Sequence, residues 1–329
     1  MPPRTTAFDL QGHRGAWGLS PRNTLETFAI ALQIGVSTLE LDIGVTQDGH
    51  VVVSHDRHVS PRLYRDTRPA ILDDPLYPYA GRHIVDLTLA QLKTLENRRR
   101  TKRGRHAGDP SCSPSIPTLS EVLELSQLLG AESVRYNIEA KVDPRYPSQS
   151  LEPACFVDRL AEATSGLTSS CTISAFDWRI LRLAIRAMPG YDLAALVSSS
   201  TLRAGGANPW TAGIDLRRRP FKGDVAAAAL SIGANVLCVN WRCLTDALIT
   251  SAHRLGLRVV AWTVNRTSTM ERLIDCGVDG IVTDFPDRLR RVMAGRGMAL
   301  PPNVPTLSSL GDPAALSSPG RFGGLLRLG

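Results

Sequence analysis

The chain has 329 residues, 43% of them apolar and 21% charged, with 38 Lys and Arg against 31 Asp and Glu. That balance excludes an intrinsically disordered chain, a collagen and a small disulfide scaffold. A chain of this length buries about 75% of its unfolded surface, so its core needs no staple. The first ten residues lack the apolar core of a signal peptide, and the longest uncharged apolar run, 225–239, is too short to span a bilayer. None of the six cysteines forms a CxxC pair, and no Cys/His set has zinc-like spacing. The expectation is a soluble, reduced, cytoplasmic protein without a stable membrane anchor.

A single unit recurs in chain order: a short β-branched run, a few polar residues, then a capped amphipathic helix. Strands are predicted at 8–12, 38–43, 51–54, 134–139, 171–174, 193–197, 236–239, 259–263 and 280–283. Asn23-Thr24 with Glu26 opens the first helix, and Gly35 closes it. Thr118 with Glu121 opens another, closed by Gly130. Asp177, Asp224, Thr245 and Ser268 (with Glu271) cap four more, with Gly190, Gly233, Gly256 and Gly277 at or just past their ends. Strands alternating with helices of this length build a parallel sheet, and this many repeats close it into a TIM-like (β/α)8 barrel.

Nine candidates compete for eight places. The second and third are joined only by 44–50, too short for a helical crossover, and Asp48-Gly49 within it is a hairpin signal. One of these two strands is therefore expected to run against the others or to lie outside the barrel. Residues 57–116 then interrupt the pattern as a long insertion after the third strand, where a barrel carries lids and substrate-shaping loops. From residue 300 the chain is rich in Pro, Ser, Gly and Leu without periodicity. The division expected is a barrel over 8–295 and a low-complexity tail over 296–329.

Barrel chemistry collects where strands end. The strand ends read His13-Arg14-Gly15, Glu40-Leu41-Asp42, His55-Asp56, Glu139-Ala140-Lys141, Trp262-Thr263-Val264-Asn265 and Thr283-Asp284. Glu40 and Asp42, two apart on a strand, project to one face. Two carboxylates so held repel unless a divalent ion or a cation such as Lys141 neutralises them, and oxygen-only ligands favour Ca²⁺, Mg²⁺ or Mn²⁺ over zinc. His13 and His55 beside them have the placement of a general acid and base, whereas His50, His58, His83, His106 and His253 read as ordinary surface or core residues. Arg14 suits bidentate contact with a phosphate. Gly15 reads equally as a turn or as a close approach of backbone to a ligand.

Basic clusters at 98–106, 217–219 and 288–296 read as solvated surface. No aromatic residue interleaves the first of them as a stacking platform, so no nucleic-acid partner is expected. Attraction of anionic substrates or lipid headgroups is the sharper alternative.

These motifs together resemble the glycerophosphodiester phosphodiesterase family. The stretches that match are Gly12-His13-Arg14-Gly15-Ala16, Pro21-Arg22-Asn23-Thr24, Leu39-Glu40-Leu41-Asp42, Thr46-Gln47-Asp48-Gly49, Val53-Ser54-His55-Asp56, Asn137-Ile138-Glu139-Ala140-Lys141, Trp262-Thr263-Val264-Asn265 and 277–284. The resemblance implies hydrolysis of glycerophosphodiesters to sn-glycerol 3-phosphate and an alcohol with a divalent cation, Ca²⁺ or Mg²⁺. It further implies Glu40, Asp42 and Glu139 as metal ligands, His13 and His55 as the acid/base pair, Arg14 and Lys141 as phosphate contacts and Trp262 as pocket lining. A lipid-directed, phospholipase D-like phosphodiesterase on the same barrel is the alternative. Arg22 departs from the pattern, since the family usually carries an acid there.

Overall fold

The computed structural model describes residues 7–98, 115–203 and 208–305, with the backbone of 100–101 and 104–105. Nine strands make the main sheet: β1 (Asp9–His13), β2 (Thr38–Val45), β3 (Val51–Val53), β4 (Arg135–Ala140), β5 (Cys171–Ala175), β6 (Asp192–Val197), β7 (Val236–Asn240), β8 (Arg258–Trp262) and β9 (Gly280–Thr283). Eight of them are parallel and close into a barrel, with β1 paired to both β9 and β2. The ninth, β3, pairs antiparallel with the end of β2 through Ile43↔Val53, Gly44↔Val52 and Val45↔Val51. The hairpin read from Asp48-Gly49 is thus present, and β3 is the strand that runs against the others.

The strands read as apolar runs because helices cover their outer face. Leu10, Leu39, Leu41, Ile138, Ile173, Leu237, Val259 and Ile281 face that layer, all fully buried. The interior holds a smaller cluster of Ala194, Leu196, Val236, Cys238, Val260 and Val282, with Phe176 and Trp262 packed on it. This inner cluster draws on β6 to β9, and the inward positions of β1, β2 and β4 are polar instead, which places the site.

Helix α1 (Leu25–Ile34) begins at Thr24, whose hydroxyl accepts the Thr27 N–H, and α2 (Leu119–Leu128) begins with a capping box of Thr118 and Glu121. Asp177, Asp224 and Thr245 cap the helices Trp178–Ala187, Val225–Ser231 and Asp246–Arg254 as expected. Two readings need correction. Asn23 does not cap α1; its backbone is left-handed (φ 55°) and its amide turns inward to the site. Ser268 is no cap either, since the helix Thr267–Asp275 already starts before it, with Arg266 at the cap position and no capping hydrogen bond.

The described part of the insertion has its own core of Val59, Tyr64, Tyr79, Ile84, Leu87, Leu92 and Leu95, packed with Val52 of β3 and with Ile116. A hairpin of Tyr64–Asp66 with Leu95–Asn97 and a short helix, Leu89–Lys93, support it. Most of the 98–106 basic cluster, and residues 306–329 of the expected tail, lie outside the described residues. Val304 still packs on the barrel core, its N–H donating to the Leu32 carbonyl at 3.3 Å.

Candidate active site

Strand register assembles the site. His13 lies opposite Glu40 between β1 and β2, Asp42 lies opposite Glu139 between β2 and β4, and Gly12 opposite Thr283 sets Asp284 beside His13. Inward positions on adjacent parallel strands bring these side chains together at one rim. Oxygens of Glu40, Asp42 and Glu139 lie within 4.8 Å of one another, and all three residues are buried. A cavity of about 230 Å³ opens onto them, lined also by His13, Arg14, His55, Asn137, Lys141 and Trp262. All eight residues singled out from the sequence therefore meet at one place: seven line the cavity and Asp42 lies behind it.

The cations close on the carboxylates. Lys141 Nζ donates to Glu139 Oε1 at 2.5 Å and stands 3.5 Å from Asp42 Oδ1, so the ion-paired rim and the acidic cluster are one object. Arg14 Nε lies 2.9 Å from Asp42 Oδ2, and the Arg14 backbone N–H donates to Glu40 Oε2 at 2.9 Å. Asn23 Nδ2 donates to Asp42 Oδ2 at 3.0 Å. Burial would push Asp42 up, yet Arg14 and Lys141 hold its carboxyl well below the usual carboxylate range. Glu40 goes the other way: burial and the neighbouring Asp42 raise it well above that range. Burial also pulls on Lys141, but Glu139 and Asp42 keep its ammonium raised.

Both histidines are held through Nδ1. His13 Nδ1 is 2.5 Å from Asp284 Oδ1, and Asn265 clamps Asp284 with its side-chain amide while accepting the Asp284 N–H at 2.9 Å. Burial and Arg14 lower His13 to about 4, against the opposing pull of Asp284. His55 Nδ1 is 2.7 Å from Asp56 Oδ1. A carboxylate only accepts, so each Nδ1 carries the proton and each Nε2 is left for chemistry. Gly15, at φ +86°, is required by its turn: a Cβ there would meet the Thr27 carbonyl oxygen at 2.7 Å. Trp262 packs edge-on to Phe176, ring centroids 5.5 Å apart, and its indole N–H donates to the Cys238 carbonyl.

Sequence reasoning passed over Asn23 as a helix cap and did not pair Asp284 with His13 or Asp56 with His55. For Asp56 the signal was adjacency in the chain. For Asn23 and Asp284 the pairing depends on which strands are neighbours in the barrel and has no local signature.

A family model described as the glycerophosphoryl diester phosphodiesterase family matches residues 13–288. The chain belongs to that family. As a member of it, the protein is an enzyme, a phosphodiesterase on a TIM barrel. A glycerophosphodiester phosphodiesterase of Caldanaerobacter subterraneus is 29% identical over 280 residues, covering 84% of this chain and 94% of the relative. A glycerophosphoryl diester phosphodiesterase structure from Silicibacter pomeroyi superposes with a TM-score of 0.70 at 27% identity, covering 90% of this chain and 96% of that one. A phosphodiesterase from Oleispira antarctica, in complex with the product sn-glycerol-3-phosphate, shares the fold with a TM-score of 0.63 at 20% identity, covering 86% of this chain and 96% of that one.

Proposed function

We propose that the protein hydrolyses glycerophosphodiesters to sn-glycerol 3-phosphate and an alcohol, with a divalent cation held by Glu40, Asp42 and Glu139. The observation that carries this reading is one barrel rim that brings together, at and just behind a single cavity, three buried carboxylates, two cations and two histidines fixed at Nδ1. The donor set fits a hard cation. Arg14 and Lys141 offset two of the three negative charges, Glu40 remains strained upward, and Asp42 Oδ1 is buried without a hydrogen bond. All-oxygen ligands suit Ca²⁺ or Mg²⁺. Such an ion supplies Lewis-acid polarisation of a phosphoryl oxygen and offsets charge in the transition state.

The chain's own groups do the rest. His13 and His55 present Nε2 to the cavity, one to take the proton of the attacking hydroxyl and the other to return a proton to the leaving alcohol. Arg14 and Lys141 stabilise the developing charge on the phosphoryl group in a site shielded from bulk water. Trp262 and Phe176 form an apolar wall that orients the substrate. The substrate is a small molecule, and among the described residues no helix is long and apolar enough to cross a membrane. The test is incubation of purified protein with glycerophosphocholine, with and without EDTA, coupled to glycerol-3-phosphate dehydrogenase. Release of glycerol 3-phosphate that EDTA abolishes supports the proposal; full turnover in EDTA refutes the cation site.

A further inference from the structure

Arg22 is a charged motif residue that the reading above leaves without a role. It sits outside the cavity lining, yet it contacts the support of one histidine. Arg22 Nη2 donates to Asp56 Oδ2 at 3.1 Å, and Asp56 Oδ1 faces His55 Nδ1 at 2.7 Å. We infer that Arg22 is a positioning residue for His55, acting through Asp56. The inference rests on the proposed acid/base role of His55.

The two histidines differ in how their aspartates are secured. Asp284 is wholly buried and clamped by Asn265 from two directions, so it has no freedom to lose. Asp56 has a side chain 25% exposed and is the immediate chain neighbour of the imidazole it serves. Left to itself, such a carboxylate exchanges its histidine for water by rotating at χ1. Arg22 closes that route by taking the second oxygen. It is itself fixed, because its guanidinium lies 5.2 Å from the centroid of the Trp17 ring. The same indole takes Arg14 at 4.9 Å and lies 5.8 Å from the His13 ring, so one ring packs against both arginines.

The charge matters as well as the brace. Burial opposes ionisation of Asp56, but the hydrogen bond from His55 and the charge of Arg22 bring it to about 2. An aspartate that is always ionised only accepts, which holds the His55 proton on Nδ1 and keeps Nε2 free toward the cavity. A neutral residue at position 22 removes both the brace and the charge. A lysine keeps the charge but cannot lie flat on the indole.

The experiment is a double-mutant cycle on glycerophosphocholine hydrolysis, with folding of each variant verified by its melting curve. Arg22→Gln is expected to lower kcat by about 10²-fold, the cost typical of a misplaced reacting group, with KM changed little. Arg22→Lys should recover much of that loss, and Asp56→Asn should reproduce it. In a His55→Ala background, Arg22→Gln should change the residual rate by no more than about 2-fold, since the group it serves is gone. An equal loss in both backgrounds overturns the inference, as does full kcat in Arg22→Gln. A raised KM at unchanged kcat overturns it too, because Arg22 would then touch the substrate. Failure of the underlying reading looks different: His55→Ala would itself retain parental kcat, which removes the role of His55 and that of Arg22 together.

Discussion

Glu40→Gln separates the electrostatics of the acidic cluster from its packing. Glu40, Asp42 and Glu139 bring oxygens within 4.8 Å of one another. At an effective dielectric constant of 20, two unit charges at that separation repel by about 3–4 kcal/mol, an upper bound that Arg14 and Lys141 reduce. A glutamine at position 40 still accepts the Arg14 backbone N–H now bonded at 2.9 Å, so little packing is lost. In EDTA the variant should therefore melt at or above the parent. Because Glu40 is raised in the folded state, the folded protein binds a proton the unfolded chain releases. Parental stability in EDTA should fall as pH climbs from the ordinary carboxylate range toward that raised value, and Glu40→Gln should flatten the fall. Ca²⁺ or Mg²⁺ at ~100 times its Kd adds about 2.7 kcal/mol to the parent, an increase of roughly 4 °C in Tm for a chain of this size. The variant should require far more cation for the same rise. Differential scanning fluorimetry in matched buffers reads both effects, and a full parental cation shift in Glu40→Gln would refute the assignment of this cluster as the metal site.

Three further outcomes follow from the same geometry. His13→Ala and His55→Ala should each lower kcat by about 10²–10⁴-fold, while His253→Ala, whose ring pairs with Asp279 away from the cavity, should leave it unchanged in steady-state kinetics. Tyr79→Phe strips the insertion core of a buried hydroxyl that donates to Asp74 Oδ2 at 2.6 Å and accepts the Ala70 N–H at 2.7 Å, and should cost about 1–3 kcal/mol in urea unfolding. Residues 57–116 carry 12 Lys and Arg against 6 Asp and Glu, nearly the whole excess of positive charge. Replacing the arginines of 98–105 with Gln should leave kcat unchanged on small substrates; a salt-sensitive loss of kcat/KM would instead show that the cluster steers anions, and lost binding to anionic vesicles that it docks on membranes.

The barrel was legible because its signals are local. Period-two and apolar runs mark the nine strands, and Thr118, Asp177, Asp224 and Thr245 are caps that report themselves within three residues of sequence. The helix Pro153–Ala163 escaped notice because its cap, Glu152, is not one of the usual capping residues, even though Pro153 at its first position favours a start. The inward carboxylates were readable from strand alternation, since Glu-x-Asp on a strand has only one geometry. Of the groups that hold them, Lys141 was readable as a partner cation, but two others were not. Arg14 turns onto Asp42 from a left-handed backbone (φ 53°), and Asn23 reaches the same carboxylate from what reads as a helix start. Both depend on where β1 and β2 lie relative to each other, which no short stretch of sequence encodes.

The insertion leaves and rejoins the barrel at nearly the same point. The Val53 N–H donates to the Pro117 carbonyl at 2.8 Å, and Val52 bridges to Thr118, while the chain departs only three residues after Val53. The segment between is therefore a cassette whose two ends are stitched side by side, tied to the barrel besides by the Gln47 N–H on the Leu87 carbonyl, the Leu89 N–H on Asp48 and the ion pairs Arg57–Asp143 and Lys93–Glu121. His55, which lines the reactive cavity, sits at that seam, and on its other side it shares a small pocket with His58 and Tyr64 of the segment. A segment entered and left through one seam can be exchanged as a unit, while the strand register that aligns the carboxylates is set elsewhere, by β1, β2 and β4.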